Sequence, residues 1–209
     1  MGLLKTAYFG GSFDPPHNGH LAMARAVLER GLVAEVWLSP ALLPPHKEGV
    51  ATPFADRLRM VELAVAGMPG VTPCGVEREL GISPSYTYEV LTALRYCHPE
   101  REFSLLIGGD MLDSFYLWYR AEELADEFNI ISFPRRSSAV TLESLKRNWR
   151  GDLAAKLYGG VMSGMDFFDI SSTNIRKSVE KNGDASKFIA KSVYEYIIKH
   201  GLYRDGEKS

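Results

Sequence analysis

Cysteine is scarce in this sequence: Cys74 and Cys97 are the only two. Two isolated thiols make neither a disulfide framework nor a zinc motif, and a reducing compartment is the simplest setting. Surplus charge is lacking too, with a formal net charge of −2 over 209 residues. That excludes nucleic-acid or membrane binding driven by bulk charge, so any anion site must be a local concentration of cations. No apolar run approaches the length of a membrane-spanning helix. Met1–Phe9 carries one lysine and a short apolar run that leads into a glycine-rich turn. It reads as a first strand and not as a signal peptide, so the expected location is cytoplasmic. Internal repeats, linkers and low-complexity stretches are absent.

What is present is an ordinary globular composition, 45% hydrophobic and 24% charged. The length suits one domain over residues 1–209, large enough to bury a core without staples. Apolar runs alternate with helical patterns. Strands are expected at Leu3–Phe9, Ala34–Leu38, Gly70–Val76, Glu102–Ile107, Glu127–Phe133 and Val161–Asp169. Helices are expected at Asn18–Arg30, Phe54–Ala66, Thr87–Tyr96, Ala121–Ala125, Leu142–Trp149, from Thr173 to about Lys181, and Ser192–His200. Thr52 reads as the N-cap of the second helix, with Pro53 at its first position. Strands separated by helices imply an α/β fold: a doubly wound parallel sheet with helices on both faces and a small helical C-terminal part. Ligands in such sheets bind beyond the carboxyl ends of the strands.

The strongest motif is Gly10-Gly11-Ser12-Phe13-Asp14-Pro15-Pro16-His17-Asn18-Gly19-His20, between the first strand and the first helix. Its glycines let backbone approach a phosphate closely, and Ser12 offers a hydroxyl donor. His17 and His20 are three apart and share a face at a helix start, which suits a multiply charged anion. Gly19 leaves room for a flat base. Asp14, before two prolines, reads as a turn residue bonded to its own backbone. The run is neither a Walker A loop nor a Gly-x-Gly-x-x-Gly fingerprint.

A second motif, Ile170-Ser171-Ser172-Thr173-Asn174-Ile175-Arg176, places a hydroxyl run at a helix N-terminus with a planar cation one turn in. Taken alone, it is equally an ordinary N-cap with a solvated arginine.

Gly10–His20 and Ile170–Arg176 together resemble the paired signatures of the HxGH nucleotidylyltransferases. Within them, Pro44-Pro45-His46-Lys47, Pro84-Ser85-Tyr86-Thr87 and Phe115–Arg120 are most similar to the bacterial nicotinate-nucleotide adenylyltransferases. The resemblance spans nearly the whole chain, to Gly201-Leu202-Tyr203. It implies a Rossmann-like sheet and the reaction of ATP with nicotinate mononucleotide to give nicotinate adenine dinucleotide and pyrophosphate. It also implies that His17, His20 and Ser12 hold ATP phosphates, with Gly10, Gly11, Phe13 and Gly19 forming the ATP turn. Ser172, Thr173 and Arg176 close on the β/γ side. Asp110 binds the ATP ribose, and Lys47 approaches the reacting phosphates. Tyr86, Thr87 and Trp118 form the nicotinate pocket.

Read from the residues alone, Asp110 serves equally as a helix cap, whereas Lys47 reads more readily as a solvated loop cation and Trp118 as part of an aromatic core or interface. Three positions depart from the family pattern. Ser12 stands where Thr is usual, and Tyr116 where His is common. Phe133-Pro134-Arg135-Arg136-Ser137 replaces an Arg-Pro-Gly turn, which leaves the adenine-side arginine between Arg135 and Arg136, with Arg135 favoured.

The mononucleotide phosphate is ionised at neutral pH and needs no general base. In-line attack on the α-phosphorus then requires positioning and charge neutralisation, with Mg²⁺ carried by ATP. Two rivals remain open: transfer to phosphopantetheine or a choline-like phosphate on the same scaffold, and a nucleotide-sensing module without turnover.

Overall fold

The computed structural model describes residues 2–43, 52–133, 140–163 and 170–204. At its centre is a five-stranded parallel sheet, formed by β1 (Leu4–Gly11), β2 (Glu35–Pro40), β3 (Val71–Pro73), β4 (Arg101–Gly108) and β5 (Asn129–Phe133). The strand order is β3-β2-β1-β4-β5. The longer helices are α1 (Asn18–Glu29), α2 (Phe54–Val65), α4 (Thr87–Cys97), α8 (Gly151–Gly159), α9 (Ser172–Glu180) and α10 (Lys191–Lys199). Short helices α3 (Val76–Glu79), α5 (Gly109–Asp113), α6 (Ala121–Glu127) and α7 (Leu142–Leu145) lie among them.

Alternation along the strands builds two cores. Tyr8, Phe103, Leu105, Ile107 and Ile130 face one side, against Val90, Leu91 and Leu94 of α4 and Leu153 and Leu157 of α8. Their sequence neighbours Ala7, Phe9, Leu106 and Ile131 face the other, against Ala24 and Val27 of α1 and Val61 and Val65 of α2. A strand buried on both faces needs apolar residues at every position, which is why these runs are continuous in sequence. A third cluster joins α9 and α10, through Ile175, Val179, Val193 and Ile197, to Met60 and Ala64 of α2. This is the small helical part, seated beside the sheet.

Four local expectations need correction. Thr52 is not the cap of α2: Pro53, with ψ of 148°, is the N-cap and no side chain bonds there. The Thr52 carbonyl accepts from Arg57 Nε instead, at 3.1 Å. The helix expected over Leu142–Trp149 stops at Leu145, and Arg150 is extended, with ψ of 152°, before α8 begins. Leu145, Trp149, Leu153 and Leu157 are all buried, so the apolar stripe runs across the break and conceals it. Of the strand expected over Val161–Asp169, Val161 forms an isolated bridge to Ser132, and residues 164–169 lie outside the described residues. Finally, α3, α5 and α8 were not expected at all.

β1 lies between β2 and β4, with the chain crossing to opposite sides of it. Strand order reverses there, and the crevice beyond the carboxyl ends of β1 and β4 is the ligand position for this topology.

Candidate active site

A cavity of about 510 Å³ occupies that crevice. The turn after β1 forms one wall, and the starts of α4, α5 and α9 form the others.

His17 is the N-cap of α1, in extended conformation with φ −138° and ψ 168°. Its backbone N–H donates to His20 Nδ1 at 3.1 Å, and the His20 N–H donates to His17 Nδ1 at 3.4 Å. The two rings stack, with centroids 3.6 Å apart and planes 17° apart. An Nδ1 that accepts a hydrogen bond leaves the ring proton on Nε2, so both rings are assigned the Nε2–H tautomer. The reciprocal cap therefore leaves an Nε2–H on each of two stacked rings at the positive end of a helix. A Cβ at Gly19 would lie 3.1 Å from the His17 ring. Gly19 thus makes room for the stacked imidazole.

The turn is braced from behind through its carbonyls. The Ser12 carbonyl accepts from Arg57 Nη1 at 2.9 Å, and the Asp14 carbonyl from Arg176 Nη1 at 2.7 Å. The Pro15 carbonyl accepts from Ser172 Oγ at 2.9 Å. The Asp14 carboxylate accepts from the Tyr203 hydroxyl at 2.6 Å, so Asp14 holds the turn through the C-terminal segment and not through its own backbone. Burial, then the Asp14 charge, push the Tyr203 phenol far above its ordinary range and keep it a donor. Arg57 is only 2% exposed. Burial lowers its pKa, while Asp14 and Glu77 favour the charged form.

Ser171 caps α9 by accepting from the Asn174 N–H at 3.2 Å. Because the Ser172 hydroxyl is given to Pro15, its contribution toward an anion is its backbone N–H in the first turn of α9. Arg176 spends one arm on Asp14 and approaches Thr173 Oγ1 with the other at 3.4 Å.

The opposite wall is aromatic. Tyr86 is the N-cap of α4, and its side chain makes no capping hydrogen bond. Tyr86 stacks on Tyr119 at 4.5 Å, and Trp118 meets Phe115 edge-on at 5.2 Å. Gly108, not Asp110, is the N-cap of α5. A Cβ on Gly108 would fall 2.6 Å from Asp110 Oδ1, so the absent side chain is what lets the carboxylate fold back over the end of β4. Glu77 is 2% exposed and reaches the cleft floor from α3. It accepts from the Tyr8 hydroxyl at 2.8 Å and from the Leu42 N–H at 2.7 Å. Burial raises its pKa, and the nearby Ser85, Leu42 and Tyr8 pull it back.

The cavity is lined by Gly10, Gly11, Ser12, Phe13, His17, Gly19 and His20, by Asp110, Ser172, Thr173 and Arg176, and by Tyr86, Thr87 and Trp118. Lys47, Arg135 and Arg136 lie outside the described residues. Sequence reasoning missed Glu77 and Tyr8 in the lining, and Arg57 and Tyr203 behind it. The final Gly201-Leu202-Tyr203 was in view only as part of the resemblance. Among the described residues no group of three or more His, Cys, Asp or Glu could hold a metal ion. No helix among them is long and apolar enough to cross a membrane.

Residues 8–178 match the cytidylyltransferase-like family. A probable nicotinate-nucleotide adenylyltransferase of Geobacillus kaustophilus is 38% identical over 203 residues, covering 95% of this chain and 86% of the relative. The nicotinate-nucleotide adenylyltransferase of Bacillus subtilis is 32% identical, covering 95% of this chain and 98% of the relative. Among solved structures, the nicotinic acid mononucleotide adenylyltransferase of Plasmodium falciparum complexed with NaAD superposes with a TM-score of 0.80 at 23% identity. That likeness covers 96% of this chain and 97% of the other, and it speaks for the fold.

Proposed function

The chain belongs to the nicotinate-nucleotide adenylyltransferases of the cytidylyltransferase-like family, and on that premise we propose that its cleft joins ATP to nicotinate mononucleotide, releasing nicotinate adenine dinucleotide and pyrophosphate. An oxygen of the mononucleotide phosphate bonds to the α-phosphorus of ATP as the bond to the pyrophosphate oxygen breaks. No proton need be removed from the nucleophile. The observation that carries this reading is the reciprocally capped, stacked pair of His17 and His20 at the start of α1. Two Nε2–H donors fixed before substrate arrives can stabilise charge that builds on a transferring phosphate without rearranging.

Around that pair the roles divide by wall. Ser12, the glycines Gly10, Gly11 and Gly19, and Phe13 form the ATP turn. The first-turn N–H groups at Ser172 and Thr173, with Arg176, take the β- and γ-phosphates. Asp110 takes the ribose, and Arg135 the adenine side. Lys47 approaches the reacting phosphates. Thr87 and Tyr86 present uncapped helix donors to the nicotinate carboxylate, against the face of Trp118. Mg²⁺ travels on the ATP phosphates with its own waters, and no protein ligand is assigned to it. The whole of residues 1–209 acts as one unit, in the cytoplasm.

An amide would set its NH₂ against one of the α4 donors and leave that donor buried and unpaired, at about 1–3 kcal/mol. The acid form is therefore expected to have a kcat/KM at least about tenfold higher. A pyrophosphate-release assay with nicotinate mononucleotide, nicotinamide mononucleotide, phosphopantetheine and choline phosphate tests the assignment. Faster turnover with either of the last two would overturn it. Nucleotide binding without pyrophosphate release would leave only a sensing module.

A further inference from the structure

Glu77 is a buried carboxylate in the floor of the cleft, and the reaction described above gives it nothing to do. Its two hydrogen bonds come from two different segments, Tyr8 on β1 and Leu42 after β2, and Ser85 before α4 lies close enough to favour its charged form. Ser85 is tied to the same loop after β2: its Oγ accepts from the Leu43 N–H at 2.9 Å and its N–H donates to the Leu43 carbonyl at 3.0 Å. Tyr8, at the other end, lies under the phosphate turn, where a Cβ on Gly10 would fall 2.8 Å from its ring. A continuous line of contacts thus runs from Gly10 through Tyr8, Glu77, the Leu42–Leu43 backbone and Ser85 to the start of α4.

We propose that Glu77 is a positioning residue that sets the preference for the acid over the amide mononucleotide, by fixing the Ser85–Thr87 turn against the phosphate turn. This rests on the function proposed above. A carboxylate substrate needs two N–H donors aimed at two oxygens, whereas an amide can use one donor on its single carbonyl oxygen. A turn that drifts therefore penalises the acid more than the amide. Glutamate is suited to the post because it accepts at both oxygens and offers no proton. Glutamine would bring an NH₂ against one of the two donors, and that donor would lose its acceptor.

The test is steady-state kinetics on Glu77→Gln and Ser85→Ala, with melting temperatures measured alongside. Glu77→Gln is expected to raise the KM for nicotinate mononucleotide about tenfold, in line with what sub-ångström misplacement costs elsewhere. The KM for ATP should stay within about twofold, and the acid-to-amide ratio of kcat/KM should fall by about threefold or more. Ser85→Ala breaks the same line one bond further on and should reproduce the fall in the ratio. It also decides the matter should Glu77→Gln fail to fold. An unchanged acid-to-amide ratio in the folded variants, whatever their melting temperatures, would show that Glu77 supports the fold only. A wild-type enzyme that releases no pyrophosphate with nicotinate mononucleotide would instead defeat the reading on which this assignment stands.

Discussion

The two walls of the cleft are built differently. The phosphate wall is held by long-range bonds onto backbone carbonyls, from Arg57, Arg176 and Ser172, and by Tyr203 on the Asp14 carboxylate. His17 and Asp14 there are 5% and 4% exposed. The ring wall is an uncapped helix start and a stack of half-exposed aromatics, with Tyr119 at 47%. On the function proposed above, the contrast separates two jobs. Charge that develops during reaction needs donors that cannot relax, and the wall proposed for the phosphates is the one locked from behind. A flat ring gains most of its affinity from stacking, which tolerates small shifts, and only its carboxylate demands alignment.

The sharpest way to break this contrast is to remove the brace. Arg57→Met keeps much of the volume but removes the guanidinium that donates to the buried Ser12 and Thr52 carbonyls and that faces Asp14 and Glu77. The expected loss is about 2–4 kcal/mol of unfolding free energy, since each buried acceptor that loses its donor costs about 1–3 kcal/mol. Urea denaturation monitored by tryptophan fluorescence measures it. A variant as stable as the parent would mean that the phosphate wall is not locked through Arg57.

Next in size is the histidine pair. His17→Ala or His20→Ala should each lower kcat by about a hundredfold or more. Each ring caps the backbone of the other, so either change dismantles the shared unit. The double variant should consequently be little slower than the worse single one, as for residues that act together. Pyrophosphate-release kinetics on all three variants tests this. Fully multiplicative losses would show two independent donors instead of one built pair.

Arg176→Lys sharpens the comparison on the ATP side alone. A guanidinium can hold the Asp14 carbonyl with one nitrogen and meet a phosphate with another; an ammonium has no such fork. The KM for ATP should rise about tenfold, a loss of roughly 1.4 kcal/mol, with the mononucleotide KM unchanged. A rise confined to the mononucleotide would put the two substrates on the opposite walls.

Much of this architecture is legible in the sequence, for physical reasons that also mark where legibility ends. Strands buried on both faces must be apolar throughout, so β1, β2, β4 and β5 stand out as runs. The first helix is announced by its apolar face and by Gly31, which takes φ of 64° at its end. His17 and His20 are visible because the chemistry and the helix period act over three residues. Arg57, Glu77 and Tyr203 are invisible for the opposite reason. Their partners lie 45, 69 and 189 residues away, at Ser12, Tyr8 and Asp14. A charged residue in an amphipathic helix reads as solvated until the fold buries it. The short α3 that carries Glu77 is below the length at which periodicity can be read.

The smallest expected effect concerns Trp118, and it separates stacking from recognition on the ring wall. Trp118 is partly buried, touches Phe115 edge-on and belongs to the cluster under α4 and α8. Trp118→Ala removes a stacking surface that favours nicotinate and nicotinamide rings alike. Aromatic pairs of this kind contribute about 0.5–1.5 kcal/mol beyond their buried area, so both mononucleotides should lose roughly three- to tenfold in kcat/KM. The donors at the start of α4 are backbone groups that Trp118 does not hold, so the acid-to-amide ratio should move by less than about twofold, under 0.5 kcal/mol. Glu77→Gln is expected to do the reverse and lower the ratio. Side-by-side kinetics with the two mononucleotides on both variants makes the distinction. A Trp118→Ala enzyme that lost its acid preference would place discrimination in the stacked ring, and the ring wall would then be as rigidly specified as the phosphate wall.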